Sequence, residues 1–89
     1  MNALIVEDCD NVVVATAEIP AGALVRYVRH DGSACEFPAV EDIPAYHKVA
    51  ANPIPAGADV VKYGERIGTA ACDIERGAHV HTHNVQDLS

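Results

Sequence analysis

The chain has 89 residues, a formal charge of -7 and a pI near 4.9, with no Trp and a single Phe. Six Lys and Arg, scattered along the chain, cannot form the basic surface that nucleic acid requires, so that partner is excluded. No apolar run approaches membrane-spanning length, and the first eight residues lack the positive start of a secretory signal.

Cys9, Cys35 and Cys72 are odd in number and far apart, which points to reduced thiols rather than a zinc site or a disulfide framework. The expectation is one cytoplasmic domain over residues 1–89. Its core is built of Ala, Val and Ile, which suits a tightly wound β structure.

In chain order, Ala3 to Val6 reads as a short strand ended by an acidic turn. In that turn Asp10 and Asn11 are expected to bond their own backbone. Val12 to Ala15 is a β-branched run too short for a helix, hence a buried strand. Leu24 to Arg29 follows as a strand closed by His30-Asp31-Gly32-Ser33, where His30 is given no role. Residues 34–45 contain Pro38 and Pro44 and keep no period, predicting a loop with at most one helical turn around Val40 to Ile43. His47 to Ala51, Val60 to Tyr63 and Glu65 to Ala71 read as strands, with a bulge or close backbone approach at Gly68. After Asn84 only a polar tail is expected.

Three segments share the pattern Ile-x-x-Gly-Ala-x-Val, starting at Ile19, Ile54 and Ile74. Each reads as a turn leading into a strand: Ile anchors the turn, Gly supplies positive φ, and Val is the first inward residue. Separations of 35 and 20 residues are too irregular for a solenoid and fit one small domain with pseudo-symmetric halves.

The chemistry-bearing stretch is Gly77-Ala78-His79-Val80-His81-Thr82-His83-Asn84. On a strand, His79, His81 and His83 would share one face, and two of them, such as His81 and His83, could reach one metal ion. Three could not, because the outer pair would stand about 13 Å apart. The same row also reads as a polar strand face in water. His47-Lys48 and Lys62-Tyr63-Gly64 are further places where a cation could meet a carboxylate, or simply solvated strand ends.

Taken in order, Asp10-Asn11-Val12-Val13-Val14-Ala15, Ile19-Pro20-Ala21-Gly22, His47-Lys48-Val49-Ala50, Val61-Lys62-Tyr63-Gly64-Glu65 and Gly77-x-His79-Val80-His81-x-His83-Asn84 resemble the SAF domain of the altronate/galactarate dehydratase family. The resemblance covers residues 10 to 85 and departs at Tyr46, where the family commonly has glycine. It implies a small, mostly-β, β-clip fold with pseudo-symmetric halves and little helix. It also implies the separate small subunit of a two-component lyase, paired with a large catalytic dehydratase-like subunit. The implied reaction is β-elimination of water or sulfite from a hydroxy acid such as a sugar acid or sulfolactate, assisted by a divalent metal such as iron(II). In that setting His79, His81 and His83 would ligate metal or move protons, His47, Lys48 and Lys62 would hold carboxylates, and Asn84 would orient a histidine. The alternative that the family offers is a non-catalytic substrate-binding or assembly module. Self-association into a homo-oligomer is a further expectation for so thin a core.

Overall fold

A computed structural model describes residues 1–86; Asp87, Leu88 and Ser89, the end of the expected tail, lie outside the described residues. Nine strands and no helix occur among the described residues. They are β1 (Ala3–Leu4), β2 (Val12–Ala15), β3 (Leu24–Val28), β4 (Ala34–Pro38), β5 (Lys48–Ala50), β6 (Asp59–Lys62), β7 (Glu65–Ala70), β8 (His79–Val80) and β9 (Val85–Gln86). All pairings between strands are antiparallel: a four-stranded sheet ordered β1-β2-β5-β8, a β3-β4 hairpin, and a three-stranded sheet ordered β6-β7-β9. The mostly-β expectation stands.

Three local expectations need correction. Residues 34–38 form β4 rather than loop, because Cys35 and Phe37 alternate inward against β3. Pro38 is tolerated at the last position of that strand, and no helical turn follows it. Val85 and Gln86 are not tail but a strand, paired with Ala70 and Thr69 of β7. The expected histidine strand stops at Val80, and residues 81–84 turn. Gly68 behaves as expected: a register shift between Val60 and Val61 leaves Ile67 as the extra residue beside it.

The repeat explains the architecture. Ile19, Ile54 and Ile74 are buried, as are the strand-leading Val25, Val60 and Val80. Each fully buried Ile or Val contributes about 1.5–3 kcal/mol relative to an exposed one. Gly22, Gly57 and Gly77 hold φ of 87°, 83° and 91°, the left-handed region that the turn demands.

The structure also reveals a fourth copy, Ile43-Pro44-Ala45-Tyr46-His47-Lys48-Val49. Here Tyr46 takes the glycine position at φ 68° and His47 takes that of alanine. The four copies associate in two pairs, Ile19 bridging Ile43 and Ile54 bridging Ile74. Equivalent bonds repeat in both pairs. The Ala21 amide donates to Asp42 and the Ala56 amide to Asp73, while Gly22 N–H donates to Ala39 O and Gly57 N–H to Ala70 O. Each half has its own apolar cluster, one around Ile19, Val25, Phe37 and Ile43, the other around Ile54, Val60, Ile74 and Val80. Strand β5 closes the first half and begins the second, and it carries the site described next.

Asp10 and Asn11 tie the halves together, a longer reach than the local turn chemistry expected of them. The Asp10 carboxylate, 2% exposed, accepts N–H bonds from Glu7, Tyr63 and Gly64. Asn11 accepts from Val61 N–H and donates to Asp59 O. These bonds seat β6, and with it Lys62, against β2.

Candidate functional site

The site lies at the edge of the four-stranded sheet, where β5 meets β8. Val13, Val49 and His79 stand in register across β2, β5 and β8, so His79 extends a row of core valines at the edge. His47 precedes β5 in the turn of the fourth repeat copy, on the same side as Val49 by strand alternation. Its Nδ1 lies 2.8 Å from His79 Nε2, so one ring donates and the other accepts.

The turn after β8 brings in the remaining histidines. Asn84 builds it: its Oδ1 accepts from His81 N–H at 2.9 Å, its Nδ2 donates to His79 O at 2.8 Å, and its own N–H donates to His81 O. Folded back in this way, His81 stacks on His47 with ring centroids 4.5 Å apart, and the His83 ring lies 5.3 Å from that of His79. An extended strand would have held His79 and His83 more than twice as far apart. Asn84 thus acts on the backbone that carries the histidines, and its recorded bonds go there rather than to an imidazole.

Ligand nitrogens of His47, His79 and His81 all lie within 4.8 Å of one another. The pair singled out from the sequence, His81 and His83, is not the set that converges: His47 joins His79 and His81, and His83 flanks them. Three neutral imidazoles at this spacing fit a first-row divalent ion, for which imidazole nitrogen is a favoured donor. Glu41 reaches the same edge, accepting the His79 N–H at 3.1 Å and so satisfying an amide that an edge strand would leave unpaired.

Electrostatics favour the lone-pair-donating neutral form of His79 and His81. Burial, then the charges that His47, His83 and His81 would carry, hold His79 below the usual imidazole range, with Glu41 opposing. Loss of water contact, then His47, Lys48 and His83, lowers His81 in the same direction. Both effects favour the neutral form that a metal ligand needs.

Lys48 sits opposite Val80, the residue between His79 and His81. Burial first, and the charge of Lys62 second, lower its pKa from the ordinary lysine value. Lys62 is half-buried at the end of β6, its ammonium 4.7 Å from the centroid of the Tyr63 ring. His30 lies away from this group, its Nε2 2.7 Å from Val6 O. Sequence reasoning missed two features here: the turn after β8, which Thr82-His83-Asn84 could have signalled as polar turn residues, and the fourth repeat copy that presents His47.

Comparison with known proteins bears on what this edge does. The alpha subunit of (2R)-sulfolactate sulfo-lyase from Paracoccus pantotrophus is 49% identical over 57 residues, covering 64% of this chain and 85% of that subunit. Altronate dehydratase from Escherichia coli strain K12 is 40% identical over 77 residues, 86% of this chain but 14% of that protein. Galactarate dehydratase (L-threo-forming) from the same strain is 37% identical over 75 residues, 84% of this chain and 13% of that protein. The chain therefore spans most of a small lyase subunit and a small fraction of each dehydratase. The family model for the altronate/galactarate dehydratase SAF domain matches residues 1–88, and the chain belongs to that family.

Proposed function

We propose that this chain is the small component of a two-component, metal-dependent lyase that removes water or sulfite from a hydroxy acid. The observation that carries the reading is the convergence of His47, His79 and His81 at an open sheet edge. The relatives named above support it, since one is a sulfo-lyase subunit and two are sugar-acid dehydratases. The small share of each dehydratase that this chain matches supports a larger catalytic partner. Among the described residues, no helix is long and apolar enough to cross a membrane.

In β-elimination the proton next to the carboxylate is removed, its C–H electron pair forms the new double bond, and the β-substituent leaves with its own bonding pair. The enol so formed becomes a 2-oxo acid. A divalent ion such as iron(II) at His47, His79 and His81 would supply positive charge toward the developing anion. His83, whose ring lies against that of His79 and outside the trio, would accept or return a proton. Lys48 and Lys62 supply cationic charge for the acid. Asn84 and Glu41 hold the backbone on which His79 and His81 ride.

The test is reconstitution with a larger dehydratase-like subunit, followed by metal analysis and an assay for loss of water or sulfite. His79→Ala and His81→Ala should abolish turnover and metal retention while the two chains still associate. Full turnover in both variants would return the chain to a non-catalytic binding or assembly role.

A further inference from the structure

A sheet edge leaves a row of backbone N–H and C=O groups without ladder partners, and proteins commonly cover it. This chain covers several edges with its own side chains. Asn2 donates to Leu24 O and Arg26 O and accepts the Arg26 N–H along β3. Asn11 does the same for Val61 and Asp59 of β6, and Glu41 takes the His79 N–H of β8. Strand β4 has no such cover: among the described residues, the amides of Ala34 and Glu36 have no partner outside the strands.

The direction of these free groups follows from the hairpin. Arg29 N–H donates to Ser33 O and Ala39 N–H to Ala23 O, and between them Val25 stands opposite Phe37 and Tyr27 opposite Cys35. Hydrogen-bonded pairs alternate with pairs that are not, so Cys35 and Phe37 bond to β3 while Ala34 and Glu36 aim their N–H and C=O outward. Tyr27 and Phe37, both buried and edge-to-face with ring centroids 6.3 Å apart, hold the hairpin in that attitude.

An edge that pairs with itself must match when turned about a twofold axis. Centred on Glu36, the pairing would set two glutamates opposite each other. It would also rely on Pro38, which has no N–H and whose carbonyl lies close against Gly77. Centred on Ala34, it would rely on Gly32, whose N–H already donates to Arg29 O. Centred on Cys35, Ala34 exchanges both bonds with Glu36 of the second copy, its Glu36 does so with Ala34, and no like charges meet. Glu36 is already paired with Arg26, so two chains of charge -7 can approach here without an uncompensated carboxylate at the joint. We propose that two copies of this chain join through β4, extending the β3–β4 hairpin into a continuous antiparallel sheet with Cys35 at the twofold axis. The joint does not depend on the lyase reading. It is one strand wide, so the dimer is weak and forms as concentration rises. The two Cys35 residues occupy a non-hydrogen-bonded position, with Cα atoms about 4.5 Å apart, inside the range that a disulfide spans. Cys35 therefore reports the register.

Sedimentation equilibrium of the full chain, from about 10 μM to 1 mM, tests the association. The average mass should rise from 9.4 kDa toward twice that value. Glu36→Pro removes an outward N–H without touching the β3 ladder and should weaken association at least about tenfold, with circular dichroism confirming that the variant folds. The register is read without that variant. Chains keeping Cys35, Cys9 or Cys72 alone, the other two replaced by serine, are oxidised with glutathione disulfide. Cys9 and Cys72 are exposed and Cys35 is half-buried, so random collision would cross-link Cys35 slowest. Cys35 should instead give the disulfide-linked dimer at least about tenfold faster than either. A mass fixed at 9.4 kDa, faster cross-linking through Cys9 or Cys72, or undiminished association of folded Glu36→Pro would each overturn the proposal. So would a monomer whose Cys35 is shielded from alkylation only when a larger dehydratase-like subunit is added, which would assign the edge to that subunit.

Discussion

Replacing Gly77 by alanine should damage this protein far more than replacing Gly22, although both occupy the same position of the repeat and hold nearly the same φ. At Gly22 an added Cβ meets nothing within 4 Å, so the cost is the left-handed backbone alone, about 1–2 kcal/mol. At Gly77 the same Cβ falls inside contact distance of Pro38 O, with Pro38 C and Val40 Cγ1 at 3.4 Å. Pro38 O is backbone held in register with Leu24, so no rotamer change relieves the clash. The chain before β8 must move, straining the bonds from Gly77 N–H to Ala50 O and from Val40 N–H to Gly77 O. Overpacking and two weakened hydrogen bonds bring the total to roughly 3–5 kcal/mol. A domain of this length is stable by only about 5–10 kcal/mol. Thermal unfolding followed by circular dichroism should show a midpoint roughly 5–10 °C lower for Gly22→Ala and at least about 15 °C lower for Gly77→Ala. Because β8 carries His79, Gly77→Ala should also weaken zinc binding, and Gly22→Ala should not. Equal midpoints, or a larger loss at Gly22, would refute the reasoning.

Three other substitutions or conditions probe the same elements. Tyr46→Gly relieves a left-handed tyrosine that is 78% exposed, and should raise the unfolding free energy by about 0.5–1 kcal/mol, seen as a higher midpoint in urea titration. Asn84→Ala removes both side-chain bonds of the turn after β8, and a chelator competition should find zinc affinity lower by about 10- to 100-fold. In the metal-free protein, His79 and His81 have lowered folded-state pKa values, so the unfolded chain binds more protons as pH falls. Their contribution is full above the unfolded imidazole range near 6.5, falls as pH drops below it, and is gone below the lowered folded-state values. Melting temperature recorded from pH 8 to pH 5 should therefore decline below about 6.5, and His79→Ala should flatten the decline.

The fold was legible where local chemistry and burial agree. Ile19, Ile54, Ile74 and their glycines could be assigned because a turn requiring positive φ and a buried anchor leave the same residue types each time. Strand β4 was hidden because Pro38 and Pro44 read as loop, yet a proline at the end of a strand costs no ladder bond and Phe37 supplies the inward anchor. At the site, residue type was legible and geometry was not. Alternation put His79, His81 and His83 on one strand face, whereas the bonds of Asn84 fold the chain back after Val80. His47 was read as a separate cationic position, because its contact with His79 joins residues 32 apart through the β5–β8 pairing. Long-range register of that kind leaves no local pattern in a single sequence.

The two halves are most alike in their hydrogen bonds and most different at the fourth repeat copy. Three copies keep Gly-Ala at the turn, and the fourth has Tyr46-His47. A left-handed tyrosine is strained, its exposed ring gains little from burial, and the core needs neither residue there, since alanine fills the His47 position in the other copies. The same turn aims His47 at His79 and leads into Lys48. A second left-handed tyrosine, Tyr63 at φ 58°, follows Lys62 in the β6–β7 turn and is also exposed. At Tyr63-Gly64 the left-handed backbone belongs to the tight two-residue turn between β6 and β7, whereas at Tyr46 the other three copies place glycine. Relief of the Tyr46 strain would stabilise the isolated chain, which is the outcome expected if the proposed role of His47, and not the fold, keeps that turn as it is.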